Sequence, residues 1–142
     1  MTHRAALDNV LHFFEHVSPQ SVQEIAKLYE ADAYFKDPFN EVRGQANIMH
    51  IFEHMFRQVD APRFIIRQFL LQEADAFIVW DFQFCLRGHQ KSHEIHGASH
   101  VRFSAAGKVV YHRDYWDAAE ELYEKLPVLG SLMRFIKCRV RS

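Results

Sequence analysis

Val109-Val110-Tyr111-His112-Arg113-Asp114-Tyr115-Trp116-Asp117 has the alternation of a strand and an uncommon set of side chains for one. Successive residues of a strand point to opposite faces. Val110, His112, Asp114 and Trp116 therefore share one face, and Val109, Tyr111, Arg113 and Tyr115 share the other. An imidazole, a carboxylate and an indole in register do not suit a dry core, because a desolvated carboxylate is costly unless paired, hydrogen-bonded or protonated. Either this face borders a cavity or the opposite face is the buried one. The segments that precede it favour the cavity.

Residues 63–72, 76–87 and 92–104 share the period-2 pattern with residues 108–117, and the separators between them are short. Connections of this length imply antiparallel hairpins. In the second of these strands Trp80, Phe82, Phe84 and Leu86 fall on one face, with Asp81, Gln83 and Cys85 opposite. Upstream the period is helical. Residues 4–16 set Leu7, Val10, Leu11 and Phe14 on one stripe. Ser18-Pro19 reads as an N-cap and first helical position, opening a second helix to about Glu30. Residues 33–37 read as a short strand that Pro38 cannot continue. Gly44 precedes a third helix carrying Ile48, Ile51, Phe52, Met55 and Phe56, and Pro62 closes that segment.

Three helices followed by an antiparallel meander give an α+β class: a cone-shaped curved sheet wrapped around N-terminal helices. Such a sheet leaves a conical pocket between itself and the helices, a common place for a small-molecule site. The tail, residues 118–142, reads as a helical extension. Pro127 breaks it, and Leu129, Leu132, Met133 and Ile136 then interleave with Arg134, Lys137, Arg139 and Arg141. A helix over the pocket mouth or against a partner subunit is favoured over a basic membrane-surface helix, since the segment is short and single.

At 142 residues the chain fits one domain, with its core at about residues 5–117. Thirteen Phe argue for a globular protein over a disordered one, and a formal net charge of −1 gives nucleic-acid binding no electrostatic support. Cys85 and Cys138 lack close metal or redox spacing and read as reduced thiols of a cytoplasmic protein. The amphipathic N-terminus lacks the apolar run of a signal peptide, and no window reaches the roughly 20 apolar residues of a membrane span.

The run of residues 25–39, ending in Lys36-Asp37-Pro38-Phe39, is similar to a motif of the ketosteroid isomerase and nuclear transport factor 2 superfamily. Gly44, Ile48 and Phe52, the turn from Val101-Arg102-Phe103 to Gly107-Lys108-Val109, and Tyr115-Trp116 follow in the matching order. The resemblance spans about residues 5–117 and is nearest to the SnoaL-like members. It implies the ketosteroid isomerase-like cone, assembled as a homodimer through the outer sheet face, in a group of isomerases, cyclases, epoxide hydrolases, dehydratases and binding modules. Fold membership does not settle function. Asp37 matches the proton-transfer carboxylate of the isomerases, and Trp116 a pocket-lining Trp. Their oxyanion-hole Tyr falls at Phe13 and their oxyanion-hole aspartic acid at Ser99, which removes the main enolate stabiliser. Asp114 resembles a catalytic aspartate of the epoxide-hydrolase branch, whose Arg–Asp partners are absent here. His112 and Asp114 could fill the histidine and aspartate roles of SnoaL-type cyclases.

Asp37, His112 and Asp114 are thus the candidate catalytic residues, two acids and a base for acid–base chemistry next to a carbonyl. The plainer alternatives are that His112 and Asp114 only bond each other and that Asp37 only caps the turn before the third helix. Phe13, Phe35, Phe52, Phe56, Trp80, Phe82 and Phe84 either fill the core or wall the pocket with Ser99 and Trp116. No cofactor is expected. Among ten histidines, His12/His16 and His50/His54 have i, i+4 spacing but no third ligand. His96 and His100 share a strand face opposite Ser99, roughly 13 Å apart at about 3.3 Å per residue, so no metal site is assigned. The leading expectation is a pocket for a small hydrophobic molecule, with isomerase, cyclase or hydratase/dehydratase chemistry. The alternative is a non-catalytic binding or homodimeric assembly module.

Overall fold

The computed structural model describes residues 1–123. Helix α1 (His3–Glu15) begins at Thr2, whose hydroxyl accepts the Ala5 N–H at 3.1 Å, and it buries Leu7, Val10, Leu11, Phe13 and Phe14. That side-chain cap supplies an acceptor for one of the orphan N–H groups of the first turn. A 3₁₀ turn (Gln20–Glu24) and the short α2 (Ile25–Leu28) follow. They replace the longer second helix expected from the sequence. The chain turns to strand at Tyr29, so β1 (Tyr29–Lys36) is longer than the residue 33–37 strand expected. A three-residue β2 (Glu41–Arg43), too short for a periodic signal, leads into α3 (Gln45–Gln58), which buries Ile48 and Phe52.

The remaining strands are β3 (Val59–Gln72), β4 (Asp75–Leu86), β5 (Ser92–Phe103) and β6 (Val109–Tyr115), followed by a π-helical turn (Ala119–Tyr123). They form a curved, open six-stranded sheet in the order β2-β1-β6-β5-β4-β3. The fold class is the α+β cone that the pattern indicates. The β3–β6 meander is antiparallel, whereas β1 joins β6 in parallel, which most of the chain between them permits. Gly107, at φ +79°, supplies the left-handed residue of the β5–β6 turn.

Two irregularities correct the sequence reading. Pro62 does not close the helical segment: it lies inside β3, where the register with β4 shifts between Asp60 and Arg63 and Ala61 takes φ 51°. A bulge is one of the few places a sheet accepts a residue without an N–H. A second shift, opposite Arg102/Phe103, makes Val109 rather than Val110 the fully buried valine ahead of His112. Among the described residues, no helix is long and apolar enough to cross a membrane. The amphipathic segment 128–139 and its two readings lie outside the described residues, as does Cys138.

Candidate functional site

The carboxyl-terminal ends of β1 and β6 lie side by side, with Lys36 opposite Arg113. Beyond them opens a cavity of about 580 Å³ whose wall carries Asp37, Asp114, Phe39 and Trp116. Acid groups from two segments more than seventy residues apart thus converge on one concavity. Trp116 follows β6 directly, its ring 5.6 Å from that of Phe39.

Asp114 is the accessible end of a hydrogen-bonded line that runs into the core. His112 Nε2 lies 2.7 Å from Asp114 Oδ1, and His112 Nδ1 lies 2.7 Å from the Tyr29 hydroxyl. Ser99 Oγ donates to the same Asp114 oxygen at 2.5 Å and accepts from Trp80 Nε1 at 2.9 Å. The Asp114 carboxylate oxygen accepts from His112 Nε2–H and from the Ser99 hydroxyl, and with a neutral imidazole the Tyr29 phenol donates to Nδ1. Burial pushes the Tyr29 hydroxyl far above its usual range, with the nearby Asp114 charge adding to the effect. His112 is 1% exposed, with Phe35 edge-on at 4.8 Å. Among the described residues nothing donates to Asp114 Oδ2, leaving that oxygen open. The bare His112–Asp114 pair is therefore part of a longer chain that also takes in Tyr29, Ser99 and Trp80.

Asp37 holds a different position. Its Oδ1 accepts from Phe39 N at 2.8 Å, Asn40 N at 2.6 Å and Asn40 Nδ2 at 3.1 Å, while Oδ2 takes only Asn40 Nδ2 at 3.0 Å. It thus caps the turn between β1 and β2, ahead of α3, as the plainer alternative has it. Burial nevertheless pushes its pKa up to about 6; the hydrogen bonds from Asn40 and Phe39 pull the other way, and the Asp114 charge reinforces the rise. Asn40 is itself buried, and its Oδ1 has no hydrogen bond among the described residues.

The raised pKa sets a sign for stability. A carboxyl that ionises later in the folded chain than in the unfolded one stabilises at low pH, and that contribution is lost as pH rises from about 4 through 6. For half-buried Asp37 the loss is about 2 kcal/mol. Asp75 and Asp81 act oppositely: their pKa values are lowered, so their contribution is lost as pH falls. The comparison must therefore be with Asp37→Asn. Urea unfolding at pH 4 and pH 7.5 should show the variant gaining about 2 kcal/mol on the wild type between the two. Equal differences at both pH values would mean that Asp37 ionises normally.

Of the expected pocket lining, Trp116 lines this cavity, while Ser99 and the other aromatics do not. Phe13, Phe35, Phe52, Trp80 and Phe84 belong to the buried core, and Phe56 and Phe82 pack half-buried against it. Tyr29 and Asn40 escaped the sequence reading as site residues. The helical pattern turns Tyr29 toward the core, where it lies, but from the start of β1 and not from a helix, and its bond to His112 has no local signal.

On the sheet face opposite Ser99, His96 bonds Asp81 and His100 Nε2 lies 2.8 Å from Asp75. Asp81 is buried there; burial alone would raise its pKa, but the bonds from Arg67 and His96 hold it below the usual range. Ligand atoms of Asp81, Glu94 and His96 converge within 4.8 Å, a grouping the sequence reading did not single out. Arg67 Nε already occupies Asp81 Oδ2 at 2.6 Å. His12 and His16 stack at 4.2 Å, and His50 and His54 at 6.3 Å.

A family model described as a SnoaL-like domain matches residues 10–112. No curated protein matches the chain. Solved structures with this fold include an NTF2-like protein of unknown function from Burkholderia pseudomallei, at 14% identity and a TM-score of 0.72 over 84% of this chain and 95% of that one. Another is an LEH-like epoxide hydrolase of M. tuberculosis, at 12% identity and a TM-score of 0.69, covering 94% and 90%. A third, from Jannaschia sp., carries the description of a candidate SnoaL-like polyketide cyclase; it shares 9% identity at a TM-score of 0.71, covering 81% and 87%. At such identities the likeness is one of fold.

Proposed function

The chain belongs to the SnoaL-like domain family, and from that premise we propose that it binds a small hydrophobic molecule in the cavity at the ends of β1 and β6 and transforms it by cofactor-independent acid–base chemistry. Isomerisation, cyclisation and hydration or dehydration all fit. The observation that carries this reading is the open Oδ2 of Asp114, held by the Tyr29–His112 line and Ser99, on the same cavity wall as Asp37. A carboxyl titrating near 6 can take a proton next to a carbonyl at neutral pH and return it, which is the regime in which general bases are most effective. Asp114, fixed by His112 and Ser99, orients a substrate hydroxyl or carbonyl or exchanges a proton with it. Neighbours of the same fold described as an LEH-like epoxide hydrolase and a candidate SnoaL-like polyketide cyclase support the reading.

The three donors on Asp37 Oδ1 favour a second reading, in which Asp37 only shapes the turn and the cavity binds without turnover. Native mass spectrometry of protein purified from its own host would identify a retained ligand. With that molecule, Asp37→Asn and Asp114→Asn should each lower kcat by about 10²-fold or more while changing Kd by less than about threefold. Turnover equal to wild type in both variants would overturn the catalytic reading.

The reading includes a cytoplasmic homodimer formed through the outer sheet face. Exposed Phe77, Val79 and Leu70 support it, lying on neighbouring strands as an apolar patch. Light scattering should give twice 16.8 kDa and fall to the monomer mass for Phe77→Lys; a monomeric wild type would end that part.

A further inference from the structure

The mouth of the cavity carries a charge that the acid–base reading leaves unused. Every other arginine among the described residues is exposed; Arg113 is half-buried, on the cavity wall. Its guanidinium lies 4.7 Å from the centroid of the Tyr115 ring, and among the described residues it makes no hydrogen bond and no ion pair. That contact holds the group over the ring while leaving its fork of donors free, which suits bidentate recognition of a carboxylate. Lys36 is its direct neighbour on β1, and like charges side by side on adjacent strands repel. Nearby carboxylates relieve this only in part: the Glu41 charge acts on both Lys36 and Arg113, and no carboxylate among the described residues bonds the Arg113 guanidinium. Glu41 takes the Tyr34 hydroxyl and lies 3.9 Å from Lys36, Asp37 is held by its own turn, and Asp114 is held by His112 and Ser99.

We propose that Arg113, assisted by Lys36, is an anion-binding position, and that the ligand of this cavity is a flat hydrophobic molecule with an acidic group at its outer end. Phe39 and Trp116 contact the ring system, the anion lies against Arg113, and the opposite end reaches Asp37 and Asp114. The inference rests on the reading of this cavity as the ligand site and names the substrate class.

Two dyes with one ring framework test it: anilinonaphthalene sulfonate, an anion, and N-phenylnaphthylamine, which is neutral. Binding is located by the indole N–H cross-peak of Trp116 in 15N NMR, assigned by its absence in Trp116→Phe. Both dyes should shift that peak, the sulfonate binding about tenfold tighter. Arg113→Gln should remove this preference, weakening the sulfonate about tenfold and the neutral dye by less than about twofold, while Arg113→Lys keeps part of it. Lys36→Gln should cost the sulfonate about threefold. A preference that is absent, or that survives Arg113→Gln, overturns the anion position. If the neutral dye alone then shifts Trp116, the pocket stands without it; if neither dye does, both readings fall. Should Arg113→Gln not fold, the wild-type salt response decides: the preference must shrink between 20 and 300 mM salt, and a constant ratio overturns the proposal.

Discussion

His112→Ala is expected to lower the folding free energy by about 3 kcal/mol, equivalent to a drop in Tm of about 12 °C for a chain of this length. The side chain is 1% exposed and packs against Phe14, Phe35 and Tyr29, so its loss leaves a cavity that neighbouring β-strands cannot collapse to fill. It also strands the Tyr29 hydroxyl, whose 2.7 Å partner is His112 Nδ1 and whose own residue is fully buried. An unsatisfied buried donor adds a desolvation cost of about 1–3 kcal/mol to the packing loss. Tyr29→Phe separates the two contributions: it removes the hydroxyl and keeps the ring, so it should cost about 1 kcal/mol. Urea unfolding of both variants provides the check. A His112→Ala cost below about 1 kcal/mol would mean that the line from Tyr29 to Asp114 contributes nothing to the fold.

The same line shows how far the sequence alone could be read. The 2.0 period across residues 63–117 exposed the meander because short hairpins and half-buried strands write their geometry into consecutive residues. His112 and Asp114 were legible for that reason, two positions apart on one strand. Their partners were not. Ser99 bonds Asp114 across a β5–β6 register that only the folded sheet sets, and Tyr29 reaches His112 through the parallel β1–β6 pairing, across eighty-three positions of sequence. Local signals also failed where backbone irregularity intervened. Pro62 reads as a helix stop, yet a bulge accommodates it within β3, and the shift beside Phe103 moves burial from Val110 to Val109. Alternation puts Asp81 on the face opposite Trp80, but its burial under Arg67 and His96 depends on side chains from two other strands. The resemblance motifs supplied Asp37 and Trp116. They did not supply Asn40, although its donors to both Asp37 oxygens accompany the burial that sets that carboxyl's pKa.

Gly97→Ala should be nearly as damaging, at about 2–3 kcal/mol, although it adds one methyl group. Gly97 lies directly across from Trp80 in the β4–β5 register, and the indole lies flat over it. A Cβ at residue 97 would sit 2.7 Å from Trp80 Cζ2 and closer still to the ring edge, well inside van der Waals contact. The ring cannot simply move away, because its Nε1–H is held by Ser99 Oγ and it packs at right angles to Phe64 with centroids 5.3 Å apart. Displacing it disturbs Ser99, and with it a donor to Asp114. A double-mutant cycle isolates the clash. Trp80→Phe alone costs about 2 kcal/mol for lost packing and the lost bond to Ser99, but it vacates the space the methyl needs. The double variant should therefore fall short of the summed single costs by about 2 kcal/mol. Strict additivity would place the indole elsewhere and remove the reason for a glycine at residue 97. Near-complete compensation would show that this residue is kept small to seat the ring that supports Ser99 beside Asp114.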